Sequence, residues 1–153
     1  MDDSDVVGLL ARACERLVGS IFIALEEAGF SGLSSTQALA VRTLAGGPLS
    51  ARALGDVLGV TPQGAGKITT DLERRGLLSR GTDPTDARVR PLLLTDEGRR
   101  AAGTMHAAEQ RMVAQWRDAA TAPDLEATAR ALRAYLAATE PAQAAPARRM
   151  RFT

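Results

Sequence analysis

Val6, Leu10, Ala13, Leu17, Ile21 and Leu25 recur at helical spacing, and Val18 and Phe22 widen the stripe. This pattern predicts a first amphipathic helix over residues 5–28, closed by Gly29. Ser34 followed three positions later by Gln37 is a capping box that opens a second helix, which "GGP" at 46–48 closes. Ser50 caps a third helix of about eight residues that stops at Gly59. Thr61 with Pro62 behind it reads as an N-cap plus a proline at the first helical position, and the fourth helix it starts ends at Gly76.

The periodicity then changes. "LLSR" (77–80) and "RVRPLLL" (88–94) read as two short strands, and "GTDPTDA" between them is rich in turn formers and too long for a tight hairpin. A β-ribbon with a loose tip is expected. Thr95 caps a fifth helix whose first turn carries Asp96 and Glu97 near the positive end of the helix dipole. Met105, Ala108, Met112 and Trp116 continue its apolar stripe, and Pro123 with Leu125, Ala129, Leu132 and Leu136 defines a sixth helix. The segment "PAQAAPARRMRFT" has no period and reads as a flexible tail over 141–153.

Composition narrows the class. The chain has 153 residues, 45% of them hydrophobic and 24% charged, the profile of one ordinary globular domain. Aromatic residues make up only 3%, so the core must be aliphatic, which favours packed helices over sheets. No run of eighteen apolar residues exists and the start "MDDSDVV" is acidic, so neither a membrane span nor a secretory signal is expected and a cytoplasmic location is. One cysteine, Cys14, and one histidine, His106, support neither a disulfide framework nor a conventional zinc site, so no metal or cofactor is expected. No nucleophile motif or phosphate-cradling glycine loop points to an enzyme.

The net charge of +1 hides an uneven distribution. Residues 1–30 hold six acidic and two basic side chains, whereas residues 61–100 hold eight basic and six acidic ones. Because the two signs alternate in the second stretch, any polyanion binding has to come from placement rather than from bulk charge.

The most specific local signal is "ARALGDVLGVTPQGAGKITT", residues 51–70. Two helices that cross steeply through a turn of about three residues need a small residue at the crossing and one tolerant of left-handed geometry in the turn. Gly55 and Gly59 meet those needs. Leu54, Leu58, Val60, Ala65 and Ile68 are assigned to the inner faces, and Thr61, Gln63, Lys67, Thr69 and Thr70 to the outside. With a β-ribbon following, the fold class is mainly α (α+β): a winged helix-turn-helix with long N- and C-terminal helices. In such folds one helix enters the major groove of DNA and the ribbon tip lies beside the backbone or the minor groove. Arg88 sits at that tip, with Asp86 two residues before it able to hold its guanidinium. Arg99 and Arg100 read as a solvated helix face.

The stretch "LSARALGDVLGVTPQGAGKITTDLERRGLLSRGTDPTDARVRPLLLTDEGRR" resembles the DNA-binding lobe of the MarR family of winged helix-turn-helix transcription regulators. The likeness extends to the "LERRGLLSR" helix end, the D-x-R wing and the "LTDEGRR" return into a helix. It is close over residues 33–100, and the flanking helices match the family's dimerisation elements in length and order. The resemblance implies a single MarR-like domain over 1–140, with dimerisation helices at 5–30 and 101–140 and the DNA-binding lobe at 33–100. It also implies a homodimer on a pseudo-palindromic operator in double-stranded DNA, acting as a repressor released by a small-molecule ligand.

The implied DNA-binding set is Ser34, Thr36, Thr61, Pro62, Gln63, Gly66, Lys67, Thr70, Asp86, Arg88 and Arg90. Gly64 and Gly66 depart from the family pattern, since glycine costs a helix interior about 1 kcal/mol relative to alanine. Either the backbone approaches DNA closely there, or the glycines reflect close packing or tolerated drift. Val6, Leu10, Leu17, Ile21, Leu132 and Leu136 form the candidate dimer interface. Phe22, Phe30, Arg42, His106 and Trp116 are candidates for a small aromatic or anionic ligand, each with a plain structural role as its alternative. Two other readings stand beside this one: a winged-helix module that contacts proteins and not duplex, and a thiol-based redox sensor acting through Cys14.

Overall fold

The computed structural model describes residues 3–82 and 90–139. Its elements run α1 (Asp3–Glu27), α2 (Ser35–Ala45), α3 (Ala51–Leu58), α4 (Pro62–Arg74), β1 (Leu78–Arg80), β2 (Leu92–Leu94), α5 (Asp96–Ala119) and α6 (Ala122–Thr139). The order is the one the sequence predicts. The strands are shorter, three residues each, and pair antiparallel with Leu78 opposite Leu94 and Arg80 opposite Leu92. Leu49 adds an isolated bridge to Leu92, which the sequence gives no sign of. Asp86 and Arg88 at the ribbon tip, and the tail at 141–153, lie outside the described residues.

Each predicted cap forms. Ser34 Oγ accepts from the Gln37 amide at 3.2 Å while Gln37 Oε1 accepts from the Ser34 amide at 2.9 Å. Ser50 and Thr61 accept from the Ala53 and Gly64 amides, each at 3.1 Å. Every such bond satisfies an amide that the helix itself leaves without a partner.

The chain divides into two compact units, residues 1–108 and 109–153. In the first, Leu25, Val41, Leu54, Leu72 and Leu92 are fully buried and draw α1, α2, α3, α4 and the ribbon into one aliphatic core. Only the second half of α1 takes part. Ile21, Ala24 and Leu25 are buried, whereas Val6, Val7, Leu9 and Leu10 in the first half are exposed. In the second unit no residue of α6 is buried; Leu125, Ala129 and Leu132 are half-buried, and Tyr135 and Leu136 are exposed. Asp124 accepts from both the hydroxyl and the amide of Thr121, bonds that hold its carboxyl below the ordinary value and cap α6. Among the described residues, no helix is long and apolar enough to cross a membrane.

A tight joint fixes where α5 begins. Thr95 Oγ1 donates to the Gly76 carbonyl at 2.5 Å and accepts from the Gly98 amide at 3.0 Å, and the Thr95 amide donates to the Leu77 carbonyl at 3.1 Å. A Cβ on Gly98 would stand 2.1 Å from the Leu77 carbonyl oxygen, a backbone atom held by those same bonds. Gly98→Ala is therefore expected to lower stability by about 3 kcal/mol, read as a fall in the urea midpoint, because neither backbone has room to yield.

Candidate nucleic-acid interface

The helix-turn-helix is built from α3, a turn at Gly59–Thr61 and α4. Gly59 adopts the left-handed conformation (φ +65°), and its neighbour's amide closes the turn through a 3.1 Å bond from Val60 to the Gly55 carbonyl. A Cβ on Gly55 would lie 3.1 Å from the Ala65 Cβ, so these two small residues set how closely the helices cross. Both roles predicted for the glycines are present.

With α3 fixed in this way, α4 buries Ala65, Thr69 and Leu72. Gln63, Lys67 and Thr70 are exposed and Gly66 is half-buried between them, so these four share the opposite stripe at helical spacing. Thr61 and Pro62 are exposed at the N-terminus of the helix. Thr69 is a correction: read as outward-facing, it is fully buried, with its hydroxyl donating to the Gly66 carbonyl at 3.0 Å and accepting from Arg80 Nη2 at 3.5 Å. It falls on the face of Ala65 and Leu72, where its methyl packs and its hydroxyl is satisfied by the helix backbone.

The charges sort into two groups. Arg80 on β1 pairs with Glu73 of α4 at 2.8 Å, Arg74 with Asp71 at 2.7 Å, and Arg100 with Glu97 at 2.6 Å. Arg99 pairs with Asp96 and donates to the Leu94 carbonyl at 2.8 Å, and Arg100 also covers the Phe30 ring, 4.7 Å from its centroid. Arg75 is spent on two carbonyls of the α1–α2 loop. Arg99 and Arg100 are thus committed within the chain. Among the described residues of the lobe, Arg52, Lys67 and Arg90 are exposed and have neither hydrogen bond nor ion pair. Arg52, in the first turn of α3 just past the Ser50 cap, escaped the sequence reading. In the sequence it is one arginine of 18, and it stands out only once the paired ones are set aside.

The remaining candidates scatter. Ser34 is exposed at the start of α2 and Thr36 is half-buried in its first turn. Phe30 is in the core with its ring under Arg100, and Phe22 packs against that core. Arg42 is half-buried and partnered, and His106 is exposed and partnered. Trp116 is exposed on the second unit. A cleft of about 350 Å³ at the α5–α6 turn is lined by Arg117, Ala120, Ala122, Leu125 and Glu126, none of them a predicted ligand residue. Of the candidate dimer residues, Val6, Leu10 and Leu136 are 51%, 40% and 55% exposed and therefore available, and Leu132 is half-buried. Leu17 packs against the core and Ile21 is buried in it, which leaves Ile21 little surface to give to a second chain. Cys14 is exposed. Among the described residues no group of three or more His, Cys, Asp or Glu is placed to hold a metal ion.

A mainly helical chain with a helix-turn-helix and a two-stranded ribbon at its side defines a winged helix-turn-helix protein. The sequence profile of the MarR family matches residues 31–89, so the resemblance read from the sequence holds over that segment, which is a MarR-family lobe. No curated protein matches by sequence. Solved structures do match by fold. RV1404 from Mycobacterium tuberculosis is 21% identical with a TM-score of 0.76, the likeness covering 92% of this chain and 97% of that one. FabT from Streptococcus pneumoniae, solved in complex with DNA, is 19% identical with a TM-score of 0.78, covering 88% and 94%. The PcaV transcriptional regulator from Streptomyces coelicolor, solved in complex with its natural ligand, is 26% identical with a TM-score of 0.60, covering 92% and 98%.

Gly66 loses one of the explanations offered for a glycine here, close packing. A Cβ at this position meets nothing within 4 Å, so packing within the chain does not require glycine. Gly66→Ala is expected to raise stability by about 1 kcal/mol, measured by chemical unfolding.

Proposed function

We propose that this protein is a dimeric, sequence-specific DNA-binding transcriptional regulator of the cytoplasm, acting as a repressor that a small aromatic or anionic ligand releases. The observation that carries the DNA-binding part is the outward α4 stripe of Gln63, Gly66, Lys67 and Thr70, in a lobe whose Arg52, Lys67 and Arg90 no carboxylate of the described chain neutralises. In this reading α4 lies in the major groove, where Gln63 reads a base edge, since a glutamine amide offers the donor and acceptor pair that adenine matches. Lys67 and Arg52 meet phosphates, Ser34 and Thr36 offer the α2 N-terminus to the backbone, and Arg90 reaches the duplex from the ribbon. Asp86 and Arg88 belong to the wing in the same reading. Gly66 lets the helix backbone approach the groove wall.

Dimerisation is supported by the exposed apolar residues of α1 and, separately, of α6, because unpartnered apolar surface invites a partner and a second copy supplies a matching one. Val6, Leu10, Leu132 and Leu136 take part in this reading. The ligand part rests on the likeness to PcaV, solved with a natural ligand.

The function is tested by titrating a labelled duplex with the intact protein at several salt concentrations. Six to ten phosphate contacts should cost about 10³ to 10⁵ in affinity between roughly 50 and 200 mM salt. Lys67→Gln and Arg52→Gln are each expected to make the salt slope shallower by about one, and Gly66→Ala to bind more weakly while melting higher. Binding that ignores salt, or its absence, would instead favour a protein-contact module. For the dimer, Leu10→Glu is expected to sediment as a folded monomer with unchanged helical circular dichroism. A dimer surviving that change would remove α1 from the interface.

A further inference from the structure

The recognition helix ends in a fork aimed at a distant loop. Arg75, the C-cap of α4, donates from Nη1 to the Ser31 carbonyl at 3.1 Å and from Nη2 to the Gly32 carbonyl at 2.7 Å. The two acceptors lie on consecutive residues, 44 and 43 positions away in sequence. For both to face one guanidinium the loop must bend sharply, and Gly32 supplies that bend with a left-handed φ of +71°. A Cβ on Gly32 would stand 3.6 Å from Nη2, so the guanidinium rests against the loop backbone. The chain then continues through buried Leu33 to Ser34, the N-cap of α2.

Two parallel bonds from a planar fork fix both the distance and the angle of the group they hold, which one ammonium cannot do. One end of this clamp is the C-cap residue of α4. The other ends at Gly32, two residues before Ser34, the N-cap of α2. We propose that Arg75 is a positioning residue for DNA binding: it sets the start of α2, with Ser34 and Thr36, against the reading stripe of α4, so that both meet one duplex together. Two of the five Arg75 donors are engaged by the loop carbonyls, and in this proposal Arg75 makes no phosphate contact of its own. The inference rests on the DNA-binding reading given above.

The test compares the full-length protein with Arg75→Gln and Arg75→Lys in duplex titrations over a range of salt, with hydrogen exchange followed across residues 29–36. Arg75→Gln is expected to bind about tenfold more weakly with an unchanged salt slope, and to exchange faster at the amides of the loop and of the first α2 turn. Arg75→Lys, which keeps the charge without the fork, is expected to fall between the two. If Arg75→Gln lacks the wild-type circular dichroism, the Lys variant decides by the same criteria. A slope shallower by about one would mean that Arg75 itself meets a phosphate, and wild-type affinity in both variants would mean that the clamp has no bearing on binding; either overturns the proposal. A wild-type protein that binds no duplex overturns it by a different route, since the function itself then fails, while the exchange pattern still reports what Arg75 holds.

Discussion

The close crossing of α3 and α4 is the constraint from which the rest of the lobe follows. Gly55 sits where any Cβ would press on Ala65, and Gly59 turns the chain through a left-handed conformation closed to most residues at low cost. Once those backbones meet, the rotation of α4 about its own axis is set. Ala65, Thr69 and Leu72 must face inward, and Gln63, Gly66, Lys67 and Thr70 are left outside. The outward stripe of α4 is thus a consequence of a packing contact on the opposite side of the helix.

Around that crossing, charge is distributed by subtraction. The lobe is rich in arginine, yet most guanidiniums are occupied: Arg80 ties β1 to α4 through Glu73, Arg99 and Arg100 brace the first turn of α5, and Arg75 grips the α1–α2 loop. Exposed ion pairs of this kind add little stability each, about 0 to 1 kcal/mol, but they decide which cations remain for a polyanion. Among the described residues of the lobe, Arg52, Lys67 and Arg90 remain. Placement, not net charge, gives the surface its character.

Much of the fold was legible because its signals are local. Ser34, Ser50, Thr61 and Thr95 each cap a helix within three residues, and Gly59 and Gly76 stop helices with left-handed backbone, so element order could be read without tertiary knowledge. What failed was decided at long range. Thr69 looks outward in a list of polar residues, but its face is chosen by the α3 contact. Ile21 belongs to a stripe that runs the length of α1, and nothing in the stripe marks where the core ends and the free surface begins. The clamp from Arg75 joins residues more than forty positions apart, and the clash that forbids a side chain at Gly98 involves Leu77, a residue on another element. Neither has a sequence signature. The wing tip, which the sequence reading made prominent through Asp86 and Arg88, lies outside the described residues.

The central claim is that two copies of the α4 face meet one duplex together. Hydroxyl-radical footprinting of the intact protein on a fragment carrying its own promoter tests this most directly. The account predicts two equivalent protected patches related by two-fold symmetry, their centres one helical turn apart, about 10 base pairs, or a multiple of it. A single unpaired patch, or uniform cleavage at protein concentrations that saturate binding, would contradict it.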